Sequence, residues 1–409
     1  MKGHVLIIEA TSSGSGLNIV KCALRVGLEV TFFTHDKGRY AADPFRDILD
    51  QVHRLWIVDT SKVDSLIEAT ERLRGESMVD AVVSMTDGHI EQSAQVAAHY
   101  GYRFMAPEAV SLARNKDHNR ELCRREGILH PRFEVVEDLN TARERLLEWG
   151  NPCILKSSRG TGSSQVRFIQ DESDLQNQFA ETSEMAKQAG GTLLLEEFLY
   201  GPVYSVEAIT YEGETRILGL SDRVMGNLPY FVELGNSFPV QLDRETEHQV
   251  ELLITRLFKA MGVDHGVTHT EVVLTDKGPA LVEVNPRLGG GMIGPMISDT
   301  FGIDIYEQIL RIAFGLAPEI PAQPIQGASE YYLYPMKEGT IDRVQGVGMV
   351  SQFPGVQQVR LKAKPGDYVK PPCDFKGEIA SVYALGSTVT MAMANCQAAV
   401  SCIQTVWKK

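Results

Sequence analysis

The chain has 409 residues, of which 43% are hydrophobic, and a formal net charge of −13 at pH 7. This length is too great for one hydrophobic core, so we expect about two to four compact units. The negative charge argues against nucleic acid and anionic membranes as partners, because both need a broad basic surface.

The cysteines and the apolar runs indicate a cytoplasmic protein. The six cysteines have no CxxC pairing, which argues against a zinc site and against a disulfide framework, and is typical of reduced, mostly buried thiols. The apolar run at residues 5–8 is too short for a signal peptide, and no later run is long enough to span a membrane.

Strand and helix patterns alternate in the first part of the chain. Strands are predicted at residues 4–8, 29–34, 54–58 and 81–84, and helices at residues 17–26, 61–73 and 89–100. This order predicts a parallel, doubly wound sheet in a Rossmann-like domain over residues 1–110. The glycine-rich loop at 11–16 is weak evidence for a dinucleotide site, because Ile19 replaces the third glycine and a tight turn before a helix explains the loop equally well.

Two lysines and a glycine-rich loop come next. A helix is predicted over residues 111–126 with Lys116 near its start, where a solvated surface lysine is the simplest interpretation. A strand ending in Lys156 opens into a Gly/Ser loop at residues 157–164, and a second strand follows. This order differs from that of a P-loop, but the backbone N–H groups and hydroxyls of such a loop can wrap phosphates. An ordinary flexible hairpin is the alternative.

The strand at residues 193–195 runs into Glu196-Glu197-Phe198-Leu199. A strand edge that breaks into a connector exposes backbone donors and acceptors, which an adenine ring needs for recognition. Farther on, the proline-rich segment 317–324 reads as a linker, so we predict a central domain over residues 111–316 and a β-rich domain over residues 317–409.

A hairpin at residues 269–285 carries candidate metal ligands. Glu271 and Glu283 are equidistant from Lys277, so a hairpin centred there places the two carboxylates opposite one another, and Asn285 returns to the same face. Adjacent carboxylates need a cation, and carboxylate and amide oxygens suit Mg²⁺. With Arg287 following, the segment favours a metal-bridged polyphosphate ligand. Solvated glutamates on a surface hairpin are the alternative.

These motifs, taken in order, resemble the ATP-grasp superfamily over about residues 110 to 315. The motifs are Lys116, the Lys156 strand with the Gly160/Gly162 loop, the segment from Glu196 to Leu199, and the segment from Glu271 to Arg287. Within the superfamily, residues 229–239 and 266–271 look most like L-amino acid ligases and related carboxylate–amine ligases.

The resemblance implies a set of site residues, together with ATP and Mg²⁺, for which Mn²⁺ could substitute. Nucleotide contacts are implied at Lys116, Lys156, Ser163, Glu196, Glu197 and Leu199, and metal ligands at Glu271, Glu283 and Asn285. Substrate contacts are implied at Glu233, His269, Arg287, Gly290 and Gly291, with Arg287 and Lys156 catalytic. One position departs from the family, because Val203 stands where many relatives have a ribose-binding glutamate; Glu207 is a candidate to replace it.

The function implied by the resemblance is an ATP-dependent carboxylate–amine ligase. It would form an amide or peptide bond through an acyl phosphate, release ADP and phosphate, and use an amino acid substrate. Alternatives are a purine-biosynthetic or biotin-carboxylase-like enzyme, and a non-catalytic nucleotide-binding module. The partners are then small carboxylates and amines, whose identity and order the sequence does not define. The oligomeric state is also open, with a homodimer among the alternatives.

Overall fold

The computed structural model describes residues 1–11, 16–41, 45–150, 152–160, 165–372 and 377–408. Its first elements are β1 (His4–Ile8), α1 (Asn18–Arg25), β2 (Glu29–Thr34), α2 (Phe45–Leu49), β3 (Arg54–Ile57), α3 (Val63–Glu76), β4 (Ala81–Val83) and α4 (Ile90–Tyr100).

These strands form a parallel sheet in the order β3-β2-β1-β4. Strand β1 is central and buried along its whole length, as its apolar run at residues 5–8 requires for a strand covered on both faces. The prediction of an amino-terminal parallel α/β unit is confirmed. The carboxyl ends of the parallel strands meet at one edge, which is where such sheets bind ligands.

The next segment forms an antiparallel sheet in the order β5-β8-β6-β7. Its elements are α5 (Pro107–Arg114), α6 (Lys116–Glu126), β5 (Phe133–Val135), α7 (Leu139–Trp149), β6 (Cys153–Ser157), β7 (Val166–Ile169), α8 (Glu172–Gln188) and β8 (Leu193–Glu197).

The prediction of one helix over residues 111–126 is wrong. Asn115 adopts an extended conformation between α5 and α6, and its side-chain amide donates a hydrogen bond to the Ser111 carbonyl at 2.8 Å. An asparagine side chain competes for backbone groups in this way and so interrupts helices. Lys116 therefore begins a new helix, and its backbone N–H donates to the Ser158 carbonyl at 3.0 Å, next to the Gly/Ser loop.

A second antiparallel sheet has the order β10-β9-β13-β14. Its segment comprises β9 (Val203–Tyr211), β10 (Glu214–Asp222), β11 (Val224–Met225), β12 (Glu233–Phe238), α9 (Arg244–Met261), β13 (Gly266–Thr275), β14 (Gly278–Asn285), α10 (Ile293–Phe301) and α11 (Ile305–Ala313). Helices α9 and α5 pack against this sheet, and α6 packs against α9.

The carboxy-terminal segment is β-rich, as predicted. It comprises β15 (Gly327–Leu333), β16 (Gly339–Gln345), α12 (Val347–Val350), β17 (Val356–Leu361), β18 (Tyr368–Val369), β19 (Ala380–Gly386), α13 (Val389–Ser401) and β20 (Gln404–Trp407). Its larger sheet has the order β11-β12-β15-β19-β17, so two strands from the preceding segment belong to it. Among the described residues, no helix combines the length and the apolar character needed to cross a membrane.

Candidate active site

A cavity of about 860 Å³ collects the residues singled out from the sequence. Loops of the parallel sheet, both antiparallel sheets and the carboxy-terminal segment all contribute to its lining. The predicted site residues that line it are Lys116, Lys156, Glu196, Glu197, Leu199, Glu233, His269, Glu271, Glu283, Asn285, Arg287, Gly290 and Gly291. The remaining one, Ser163, lies outside the described residues, as does the second half of the predicted phosphate loop, residues 161–164.

The β13–β14 hairpin places Glu271 directly opposite Glu283, so that prediction is confirmed. The predicted centre at Lys277 is wrong, because Thr275 pairs with Gly278 across a two-residue turn. A β-bulge then shifts the register between Glu271 and Val272 and leaves Val282 as the extra residue of β14. Without the bulge, the same turn would pair Glu271 with Val282. Since side chains alternate between faces, Glu283 would then lie on the face of the sheet opposite to that of Glu271.

Each of these two carboxylates has a cationic partner. Lys116 Nζ lies 2.9 Å from Glu283 Oε1 and also donates to the Gly160 carbonyl at 3.0 Å. Arg223 forms an ion pair with Glu271. Burial raises the pKa of Glu271, but the charges of Arg223 and His269 outweigh burial and lower that pKa well below its usual range. Glu271 is therefore an ionised oxygen donor at neutral pH.

The donor set fits Mg²⁺. Glu271, Glu283 and the buried Asn285 bring carboxylate and amide oxygens to one side of the hairpin, and Asn285 is paired across it with His269. Mg²⁺ prefers hard oxygen ligands and is usually held by one or two carboxylates together with the phosphates of a substrate.

A buried cluster holds Lys156. Its Nζ lies 2.6 Å from Glu196 Oε2, and Arg120 Nε lies 2.9 Å from Glu196 Oε1. Burial lowers the pKa of Lys156 despite the opposing charge of Glu196. Arg120 also donates to the carbonyl of the bulge residue Val282 at 2.6 Å, so one guanidinium joins the lysine cluster to the hairpin. The Glu196 carboxylate thus fixes two cations and is not free to contact a nucleotide.

The connector after β8 brings Glu197, Phe198 and Leu199 to the lining of the cavity. The Glu197 backbone N–H donates to the Arg132 carbonyl at 2.9 Å, and its carboxylate lies 2.7 Å from Arg132 Nε. Leu199 and Phe198 line the cavity, and Phe198 packs edge-on against Phe168 with ring centroids 5.4 Å apart. This apolar wall beside a strand edge can accommodate a planar base.

Ribose binding by Glu207 finds no support in the structure. Glu207 is 1% exposed, and its Oε1 accepts hydrogen bonds from Ser221 at 3.1 Å and is 2.7 Å from His269 Nδ1. The Glu207 side chain is therefore buried and hydrogen-bonded within the protein, and it is not available to a ribose hydroxyl. Val203 lines the cavity without offering a polar group.

Arg287 is held by an aspartate that the sequence analysis missed. Asp87 lies in the loop after β4, and its carboxylate accepts hydrogen bonds from Arg287 Nε at 2.8 Å and from Arg287 Nη2. Arg114 Nη1 lies 3.3 Å from the same carboxylate. Burial raises the pKa of Asp87, but the positive charges of Arg287 and Arg114 outweigh burial and lower it. The fork geometry fixes the plane of the Arg287 guanidinium.

A second missed residue, Arg223, connects two predicted subsites. Its Nε lies 3.0 Å from Glu233 Oε2, while its Nη1 pairs with Glu271. Glu233 also accepts a hydrogen bond from Asn236. The candidate ammonium-binding carboxylate is therefore rigidly held and electrostatically linked to the candidate metal site.

The glycines after Arg287 make room for neighbouring side chains. A Cβ on Gly289 would lie 2.7 Å from His269 Nδ1, and one on Gly291, whose φ is +59°, would lie 3.1 Å from the Tyr332 hydroxyl. Open space surrounds the equivalent position at Gly290. The backbone at Gly290 and Gly291 is accessible from the cavity, as a backbone anion site requires.

His269 is a buried imidazole between two carboxylates. Its Nδ1 lies 2.7 Å from Glu207 Oε1, and its Nε2 lies 3.7 Å from Glu271 Oε1. Burial alone would lower the pKa of His269, but Glu207 and Glu271 raise it to about 9. The imidazolium therefore predominates at neutral pH and adds a fixed positive charge beside the hairpin.

This charge predicts a pH dependence of stability. The folded-state pKa of His269 exceeds its unfolded value, so its stabilisation is complete below about pH 6.5 and is lost as the pH rises through about 9. We expect this group's contribution to the unfolding free energy to fall by about 2 to 3 kcal/mol between pH 7 and pH 10. Urea unfolding of the wild type and of His269→Gln at both pH values checks this. The difference between them should shrink at pH 10, whereas exposed His248→Gln should match the wild type at both.

Family comparisons agree with this geometry. Residues 149–296 match the ATP-grasp domain family, and residues 331–408 match the L-amino acid ligase C-terminal domain 2 family. The chain carries an ATP-grasp domain. The predicted assignment to the ATP-grasp superfamily, close to the L-amino acid ligases, is confirmed, as is the prediction of an ATP-grasp ligase.

Two curated relatives and one solved structure illustrate the similarity of this ATP-grasp chain. Human carnosine synthase 1 is 25% identical over 345 residues, which cover 79% of the chain and 41% of that protein. The L-arginine-specific L-amino acid ligase of Bacillus subtilis is 23% identical over 310 residues, covering 74% of each. The crystal structure of L-amino acid ligase from Bacillus licheniformis superimposes with a TM-score of 0.85 at 20% identity, covering 100% of the chain and 99% of that structure, which shows a shared fold.

Proposed function

We propose that this ATP-grasp ligase joins a carboxylate to an amine in an ATP-dependent reaction, with an amino acid as one substrate and a dipeptide or related amide as product. The observation that carries the proposal is one cavity in which the oxygen donors of Glu271 and Glu283 face each other, with Lys116, Lys156 and Arg287 also on its lining. The three cations, together with a metal ion held by the two carboxylates, would neutralise a substrate carboxylate and a nucleotide phosphate that must approach one another.

The nucleotide is ATP in this proposal. Lys116 and Lys156 bind its phosphates, and the connector containing Glu197 and Leu199 binds the adenine through its backbone. Glu271, Glu283 and Asn285 would hold Mg²⁺, with Mn²⁺ as a substitute, and the metal ion neutralises charge on the transferring phosphoryl group when bound. The polypeptide boundaries proposed for the three domains are 1–110, 111–316 and 317–409.

The reaction has two steps. A substrate carboxylate oxygen attacks the γ-phosphorus of ATP, the bond to the β–γ bridging oxygen breaks, and ADP leaves. The amine then attacks the acyl carbon of the acyl phosphate, the bond to the phosphate oxygen breaks, and the nitrogen loses a proton. Arg287, with its guanidinium plane fixed by Asp87, stabilises charge on the phosphoryl group in the first step.

Substrate orientation depends on two further groups. Glu233, held by Arg223 at 3.0 Å, is positioned to accept hydrogen bonds from a substrate ammonium. The backbone at Gly290 and Gly291 would receive a substrate carboxylate. The imidazolium of His269 contributes positive charge on the same side of the cavity.

The experiment is a screen of amino acid pairs, and of amino acids with other small carboxylates, for ADP and phosphate release together with product mass. We expect at least one pair for which the amounts of ADP, phosphate and amide are equal and for which omission of either substrate stops amide formation. ATP hydrolysis that is independent of the pair, with no amide from any pair, would contradict the proposal. The Glu283→Gln protein serves as the control for contaminating ATPase.

A further inference from the structure

A second cluster of ligand-type side chains lies outside the cavity, at the edge of the parallel sheet. Glu9 follows β1, His35 follows β2, and His89 ends the loop after β4. These three strands are neighbours in the sheet, so their carboxyl ends bring the three residues together. One ligand atom from each lies within 4.8 Å of the other two, a combination found at this one place in the described part of the chain.

The Glu9 carboxylate is fixed by the surrounding polar groups. It is fully buried, and its backbone has a φ of +54°, a conformation that L-residues with side chains rarely adopt. Oε2 accepts hydrogen bonds from Tyr40 at 2.8 Å and Thr34 at 3.1 Å, and Oε1 accepts hydrogen bonds from Thr60 at 2.9 Å and from the His35 backbone N–H at 2.8 Å. Hydrogen-bonded outer partners of this kind orient the carboxylates that ligate metals, and backbone strain tends to persist at functional sites.

The two imidazoles face each other beside this carboxylate. Their ring centroids are 6.1 Å apart, and the ring planes differ by 24°. Nδ1 of His89 is buried and has no hydrogen-bond partner among the described residues. A buried nitrogen without a partner is destabilising, so a ligand that fills this position is favoured. The side chain of His35 is 46% exposed, which leaves a path from solvent.

We propose that Glu9, His35 and His89 form a binding site for a divalent transition-metal ion, with Zn²⁺ as the expected ion. Two imidazoles and one carboxylate are a ligand set that Zn²⁺, Co²⁺ and Ni²⁺ prefer, whereas the oxygen donors of the β13–β14 hairpin suit Mg²⁺. The cysteine spacing argues against a thiolate zinc site and carries no information about imidazole ligands.

The existing hydrogen bond between His35 and Glu9 is compatible with such a site. Nδ1 of His35 lies 2.8 Å from Glu9 Oε1. An ion bound at Nδ1 would replace this hydrogen bond with one metal bond from the imidazole and one from the carboxylate. The nearest competing cation is Arg39, whose Nη1 lies 3.6 Å from the other carboxylate oxygen.

The bound ion would join three loops of the sheet, and one of them carries Asp87. His89 is two residues beyond Asp87, and Asp87 fixes the Arg287 guanidinium in the cavity. The ion would thereby restrict the loop that positions Arg287. The binding site itself rests only on the cluster and does not depend on the proposed ligase function.

Metal titration of the whole chain tests the site. The chelator-treated protein is titrated with Zn²⁺ in excess Mg²⁺ and in competition with a chromophoric chelator, and we expect one tight equivalent. The variants His35→Gln and His89→Gln should each weaken Zn²⁺ binding by at least about 10-fold. The control His248→Gln alters an exposed histidine on α9 and should bind as the wild type does.

Cobalt provides a second readout that does not depend on affinity. Co²⁺ at an imidazole and carboxylate site of low coordination number absorbs in the visible region, and we expect this absorption in the wild type and in His248→Gln but not in His89→Gln. Absence of a tight Zn²⁺ equivalent in the wild type would overturn the proposal. Equal Zn²⁺ affinity and equal Co²⁺ spectra in His89→Gln and in the control would also overturn it. This outcome does not depend on whether the enzyme forms an amide from any pair of substrates.

Discussion

Glu283→Gln is expected to lower the turnover number of ligation by at least about 100-fold while leaving the fold intact. The substitution keeps the size of the side chain but removes its negative charge. In the structure this carboxylate faces Glu271 across the hairpin and lies 2.9 Å from Lys116 Nζ. In the proposed reaction, loss of this charge would weaken metal binding and leave Lys116 without its ion-pair partner, and both changes would act on the transferring phosphoryl group.

The measurement is steady-state release of ADP with a pair of substrates that the wild type ligates. Thermal unfolding and far-ultraviolet circular dichroism establish that the variant is folded. Glu251→Gln is the matched control, since this glutamate is exposed on α9, and it should retain wild-type turnover. If a folded Glu283→Gln protein kept more than about a tenth of wild-type turnover, the residue would have no role in transition-state stabilisation.

Arg287→Lys is expected to lower turnover by about 100-fold even though the positive charge is kept. The guanidinium uses Nε and Nη2 together to contact Asp87, and Nη1 donates to the Leu288 carbonyl at 2.6 Å. A lysine ammonium cannot reproduce this fork and would leave the Asp87 carboxylate with a less complete set of partners. The phosphoryl group would then meet a misplaced cation.

The accompanying variant Asp87→Asn tests the positioning role. It should lower turnover with little change in the Michaelis constant for ATP, because Asp87 orients Arg287 and does not itself line the cavity. Arg125→Lys, on the exposed side of α6, is the matched control and should be silent. Wild-type turnover in both Arg287→Lys and Asp87→Asn would show that the fork between these two residues is irrelevant to the chemistry.

The sequence predicted the pairing of Glu271 with Glu283 correctly for an incomplete reason. Equal spacing from Lys277 gave the right partner for Glu271, but the actual turn is centred between Asp276 and Lys277, which alone would pair Glu271 with Val282. The bulge at Val282 compensates, and Arg120 binds the Val282 carbonyl. A bulge depends on what the neighbouring elements offer to the unpaired residue, so strand alternation alone could not have revealed it.

Some residues that position the site could have been predicted from the sequence, and others could not. Arg120 lies four residues after Lys116 on α6, a spacing that puts both side chains on one face of a helix, so the sequence contained this signal. Asp87 and Arg223 gave no such signal. Arg287 is separated from Asp87 by 200 positions, and this contact follows only from how the parallel sheet docks on the hairpin.

Isotope labelling distinguishes transfer of the γ-phosphoryl group to a substrate carboxylate from transfer of the AMP group. The wild-type chain is supplied with ATP, Mg²⁺, the amine and a substrate whose carboxylate oxygens are both ¹⁸O, and the nucleotide product and the released phosphate are analysed. We expect ADP equal in amount to the amide and one ¹⁸O atom in each phosphate, because the attacking oxygen leaves with the phosphoryl group. AMP as the stoichiometric product, or phosphate without the label, would contradict γ-phosphoryl transfer to the carboxylate.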